Sequence, residues 1–178
     1  MKYLPLDAFE QLNSSLSCVD IGDARIYGRL EGYSCKHTTD DRKLKHHIES
    51  KYEENQPSSL ETVKSPFGPF EQTSRKTLVY LLATLNAAFP DYDFSDVKPH
   101  YFTKIPSLDM ITNSVHHLLF VHLTNYAPVT TLEPLVWRTI DEAVTLQDCD
   151  CYAFNPDKEM EPDSEDGNLY VVALPKSL

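Results

Sequence analysis

The runs SRKTLVYLLATLNAAFP (74–90) and CDCYAFN (149–155) decide the fold class. In the first, Leu78, Leu81, Leu82, Leu85 and Phe89 recur at helical spacing, with Ser74 where an N-cap belongs and Pro90 where the helix must stop. Such a stripe is core, and burying each of its side chains contributes roughly 1.5–3 kcal/mol. The second run reads as a short strand, with Cys149, Cys151 and Ala153 on one face and Tyr152 and Phe154 on the other. Helix and strand material together give an α+β class: a largely antiparallel sheet packed with three to four helices in a single domain. Its strands are expected from the segments before residue 37 and after Leu146.

Outward from the first run, Asp7 opens a short helix in which Phe9, Leu12 and Leu16 share a face, with Glu10 placed as in a capping box. Met1 to Leu4 reads as a short strand before it. From Asp20 to Lys36 the pattern is strand-like, with Gly22-Asp23 as a turn. Gly28 and Gly32 inside this run predict a bulge or a close backbone approach. Ser107 caps a further helix lined by Leu108, Ile111, Val115, Leu118 and Leu119, which leaves His116, His117 and His122 at the surface. Thr131 caps another, with Leu132, Val136, Ile140 and Val144 inward and Trp137 in packing. Leu169 to Leu174 is a final strand-like run that ends at Pro175.

Residues 37–73 change character: charged and proline-rich clusters replace apolar periodicity. The division that follows is 1–36 as the N-terminal part of a globular domain, 37–73 as a flexible polar insert and 74–178 as the remainder. Within the insert one helical turn is expected near Leu44 to Ile48. Ser65-Pro66 is a proline-directed phosphorylation candidate; a phosphate there would add close to two negative charges. Near the C-terminus, 157–166 holds six acids and one lysine and reads as a solvated acidic loop.

Charge narrows the function. Acids outnumber bases 27 to 16, for a formal charge of −11. Such a chain repels phosphate backbones, so neither direct nucleic-acid binding nor an anionic membrane is expected, and a basic protein partner fits better. No apolar run reaches membrane-spanning length, and the first residues lack the pattern of a secretory leader. The four cysteines, Cys18, Cys35, Cys149 and Cys151, are expected reduced, without a zinc-type spacing. No glycine-rich phosphate loop, nucleophile elbow or zinc-protease motif is present, so no catalytic residue, metal ligand or cofactor is assigned. A Cys/His metal-binding or redox module is the alternative class. The turn Asp91, Tyr92, Asp93, Phe94, Ser95 has two readings: an ordered turn with Phe94 buried and Asp93 or Ser95 capping amides, or a surface in direct contact with a partner.

Four blocks in order carry a resemblance: Ile21-Gly22-Asp23-Ala24 through Gly28-Arg29-Leu30-Glu31 to Tyr33-Ser34-Cys35-Lys36; Ser74-Arg75-Lys76-Thr77-Leu78 with Tyr80-Leu81; Pro90-Asp91-Tyr92-Asp93-Phe94-Ser95; and Cys149-Asp150-Cys151-Tyr152 with Asn155-Pro156-Asp157. Together they resemble the Maf family of negative regulators of RNA polymerase III transcription. The resemblance implies a non-enzymatic repressor that binds the polymerase near its clamp and initiation subunits and blocks engagement with the initiation factor. Transfer RNA and 5S ribosomal RNA synthesis then falls under stress or starvation. It implies control by kinases and phosphatases, with shuttling between cytoplasm and nucleus. Lys36, Asp91, Tyr92, Asp93 and Phe94 are the candidate partner-binding residues and Ser65 the candidate phosphorylation site. The family pattern continues past the acidic loop into an aromatic-rich strand and a Lys/Arg-rich strand. Here Tyr170 to Pro175 follows instead, an atypical short C-terminus without the basic nuclear-targeting cluster. The expectation is a form less stable than a full-length relative, or inactive as a repressor.

Overall fold

The structure, a computed structural model, describes residues 1–20, 25–54, 74–120, 127–156 and 169–178. Its centre is helix α3 (Arg75–Ala88), numbered here in chain order. Ser74 caps it as the sequence predicts: its hydroxyl accepts from the Thr77 N–H at 3.1 Å. Leu78, Val79, Tyr80, Leu81, Leu82, Ala83 and Leu85 are all buried. Burial therefore extends well beyond one stripe, because α3 is covered on several sides.

One cover is an antiparallel sheet of β5 (Phe102–Ile105), β6 (Cys149–Phe154) and β7 (Tyr170–Pro175), in the order β5-β6-β7. Phe102 stands opposite Phe154 and Phe154 opposite Tyr170. As the middle strand, β6 buries Cys149 and Cys151 on one face and Tyr152 and Phe154 on the other. β5 was not legible in the sequence, and it completes the sheet that β6 and β7 alone would leave two-stranded.

The N-terminal strands do not join that sheet. β1 (Lys2–Leu4) pairs with β4 (Gly32–Ser34), and β2 (Val19–Asp20) with β3 (Arg25–Ile26), as two separate antiparallel ribbons. Among the described residues the expected single sheet is thus three. Between β3 and β4 the alternating run is not a strand; α1 (Asp7–Leu16) holds it instead. The Asn13 amide donates to the Leu30 carbonyl at 2.8 Å and accepts from the Leu30 N–H at 2.7 Å. The Gly28 N–H reaches the Leu16 carbonyl at 2.8 Å. Both glycines mark close approach: a Cβ at Gly32 would lie 2.9 Å from Leu6 Cδ1, and one at Gly28 3.3 Å from Leu16 Cβ. Phe9, Leu12 and Leu16 are buried as predicted, but the N-cap of α1 is Leu6, without a side-chain cap. Asp7 instead places its charge in the first turn, where it meets the positive end of the helix dipole. The Gly22-Asp23 turn lies outside the described residues.

The largest departure is α2 (Thr39–Glu54), sixteen residues of helix where the sequence reading places a flexible insert with a single turn. Leu44 and Ile48 are buried in the same core cluster as α3. Its start is a capping box: the Asp41 carboxylate accepts from the Thr38 N–H at 2.6 Å, and the Thr38 hydroxyl accepts from the Asp41 N–H at 3.3 Å. Residues 55–73, including Ser65, lie outside the described residues, as does the acidic loop 157–166.

Two more helices follow, α4 (Leu108–Phe120) and α5 (Ala127–Val144), which makes five among the described residues. Ser107 starts α4, with the Met110 N–H 3.4 Å from its hydroxyl. Thr131 does not cap α5, which begins four residues earlier at Ala127; Pro128 suits a first turn that needs no N–H donor. Val144 is exposed rather than inward, at the last turn of α5, and Leu108 is exposed at the first turn of α4. His116 is at the surface, as expected, and meets Glu133 at 2.9 Å, tying α4 to α5. Trp137 is half-buried in packing.

Candidate functional site

The turn after α3 is built by its own side chains. The Asn86 side-chain carbonyl accepts from the Phe94 N–H at 2.8 Å, and Asp93 Oδ1 accepts from the Ser95 N–H at 2.9 Å. Bonds from the Ser95 hydroxyl and backbone hold the Asp93 carboxyl below its ordinary range. Phe94 turns inward, its ring edge-on to Phe154 at 5.9 Å and 6.0 Å from Phe89. Phe89 in turn meets Tyr170 edge-on at 5.7 Å. This aromatic cluster fixes the turn to the sheet. Tyr92, by contrast, is 64% exposed, and Asp91 is exposed beside it.

The turn therefore divides the candidate residues. Asp93 and Phe94 are engaged within the fold, as the ordered-turn reading requires, while Asp91 and Tyr92 face solvent. Lys36 is exposed on the short link between β4 and α2. Among the described residues no hydrogen bond or ion pair joins it to the turn.

What the turn does meet is α2. Asp96 takes the His47 ring nitrogen Nε2 at 2.9 Å and also the Lys51 ammonium. These two partners hold its carboxyl below the ordinary range. An open groove of about 400 Å³ lies between α2 and the turn, with Asp40, His47, Asn86, Asp93 and Asp96 among its walls. The other end of α2 is anchored at Asp41, which is 5% exposed. Both its oxygens lie 2.6 Å from the Met1 ammonium. Burial pushes the Asp41 carboxyl up, but the ammonium and the Thr38 bonds outweigh it and hold the group below its usual range.

Sequence reasoning gave no role to Asp96, His47 or Lys51, because nothing in either segment announces the other. Arg29 was legible only as part of a block. It donates to the Ala88 carbonyl at 3.1 Å, lies 5.4 Å over the Phe89 ring and pairs with Glu31 at 3.3 Å. It thereby ties the 27–31 segment to the last turn of α3 and the start of the aromatic cluster.

The cysteines offer different chemistry. Burial pushes the Cys35, Cys149 and Cys151 thiols up, the reverse of what a reactive thiolate needs. Among the described residues no three His, Cys, Asp or Glu side chains converge to hold a metal ion. No helix described is long and apolar enough to cross a membrane.

Comparison with known proteins places this geometry. The Maf1 regulator family model matches residues 26–174. The repressor of RNA polymerase III transcription maf1 of Schizosaccharomyces pombe is 36% identical over 181 residues, covering 96% of this chain and 74% of the relative. The repressor of RNA polymerase III transcription of Dictyostelium discoideum is 32% identical over 217 residues, covering 96% of this chain and 77% of its own. In structure, the chain is similar to citrus MAF1, with a TM-score of 0.71 and 27% identity over 96% of this chain and 92% of that one. Family model, sequence relatives and fold agree with the resemblance carried by the four sequence blocks, and the chain belongs to the Maf1 regulator family.

Proposed function

We propose that this chain represses transcription by RNA polymerase III through protein–protein contact, without a catalytic step. The observation that carries the reading is the likeness, across 96% of the chain, to a relative named as a repressor of that transcription. In this reading the chain occupies the polymerase near its clamp and initiation subunits and keeps the initiation factor from engaging, so that tRNA and 5S rRNA synthesis falls. The solvent-facing part of the 90–96 turn supports it: Tyr92 offers a rigid amphipathic ring of the kind enriched at interfaces, flanked by carboxylates that suit a basic partner. Kinases and phosphatases acting on Ser65 would set activity and the distribution between cytoplasm and nucleus.

Capture of purified RNA polymerase III by the immobilised chain, repeated at rising salt, tests the proposal. Capture that weakens with salt is expected, since the attraction of an acidic surface is screened. Tyr92→Ala should reduce capture about tenfold or more, as removal of an interfacial aromatic anchor does. Its melting temperature should stay that of the parent, because the ring is largely in solvent. Absence of capture at every salt concentration would overturn the reading.

A further inference from the structure

We propose that α2 is a detachable strap, which undocks as one unit and so opens the groove beside the 90–96 turn. The contrast in how it is held motivates this. Among the described side chains, apolar footing under α2 comes from Leu44 and Ile48, whereas α3 buries seven residues. Ion pairs of the described residues add to this hold: Met1 on Asp41 in the first turn, and His47 and Lys51 on Asp96 in the second half.

The two ends differ. Near the start of α2 the Asp41 carboxylate is buried, its side chain 7% exposed, where it takes the Met1 ammonium. At the other end the Asp96 side chain is 76% exposed, so its pairs are weak and screened by salt. Release therefore starts at the Lys51 end and hinges toward Asp41. The helix can move as a unit because it carries its own supports: the Thr38–Asp41 capping box and the surface pairs Lys43–Asp40 and Lys45–Glu49. When docked, His47 and Lys51 pair with Asp96, and His47 walls the groove. When released, they leave the Asp96 carboxylate without these two partners, in the same turn as Tyr92. As a control on docking this rests on the function proposed above; as a helix that opens it does not.

Hydrogen exchange of the full chain, read by mass spectrometry, tests the strap. Lys51→Ala, Asp96→Asn or high salt should each speed exchange in α2 by about two- to fivefold, the range set by loss of exposed ion pairs, while α3 stays unchanged. Exchange in α2 that keeps step with α3, or ignores both variants and salt, would overturn the strap. Lys51→Ala keeps every acid of the turn and should capture more RNA polymerase III than the parent. Faster exchange without increased capture would overturn the control on docking and leave the strap standing. No capture by parent or variant would overturn the docking reading, and the exchange result would still decide the strap.

Discussion

Helix α3 buries seven side chains, whereas α2, packed against it, buries the apolar Leu44 and Ile48 among its described side chains and pairs its charges with Met1 and Asp96. The first arrangement is dispersed: many contacts, each replaceable in part by its neighbours. The second is concentrated: it depends on a few atoms of Asp41 and Asp96. A core helix therefore yields gradually to change, whereas a helix that leans on a few ion pairs yields at a point.

Asp41→Asn should cut deepest into this contrast. It takes the counter-charge from the Met1 ammonium and the carboxylate acceptor from the Thr38 cap, two losses expected to cost about 3–5 kcal/mol together. The sign with pH follows from the lowered carboxyl. A group held below its unfolded value lends stability that is complete above the ordinary carboxylate range and is lost as pH falls through the native value. Thermal melts from neutral to acid pH should show the parent losing this contribution and the Asn variant lacking it throughout. A variant that melts like its parent at neutral pH would mean that the concentrated anchor is no anchor.

Leu81→Ala probes the dispersed side. Leu81 is fully buried, and the cavity should cost about 2–5 kcal/mol in urea unfolding. The loss should be global, with α2 and α3 unfolding in one transition. The smallest expected effect is Ser74→Ala, which removes the hydroxyl that caps α3. A loss of about 1 kcal/mol in the same assay would show how little a cap matters to a helix already fixed by burial. A much larger loss would shift weight in α3 from its core to its end.

The same contrast explains what was legible in advance. A buried face leaves a periodic trace, so α1 and α3 could be drawn from Phe9, Leu12 and Leu16 and from Leu78 to Leu85. The inward turn of Phe94 and the bond from Ser95 to Asp93 followed from local chemistry. Helix α2 left almost no trace: Leu44 and Ile48 are too few to define a period, and its remaining residues read as polar insert. The one local signal, Thr38-x-x-Asp41, is a capping box that went unread. Its stronger anchor, the Met1 ammonium, comes from 40 residues away and has no sequence pattern at all.

Strand β5 was lost for a related reason. Its four residues Phe102, Thr103, Lys104 and Ile105 follow Pro99-His100-Tyr101, and their pairing with β6 is made across two helices. The expected single sheet failed because the N-terminal strands find partners in each other. In the site, Asp91 to Phe94 were legible as candidates, but which of them face solvent, and the meeting of Asp96 with His47 and Lys51, needed the fold.

The amide of Asn13 has a consequence of its own. By giving one hydrogen to Leu30 and taking another from it, a side chain on a helix serves as the missing rung of a ladder. Only a group carrying a donor and an acceptor side by side can do this. An aspartate of the same size would still receive the Leu30 N–H but would turn a second oxygen toward the carbonyl, lone pair against lone pair. The position thus discriminates between two residues that differ by a single atom type, and the segment 27–31 keeps its shape through that choice.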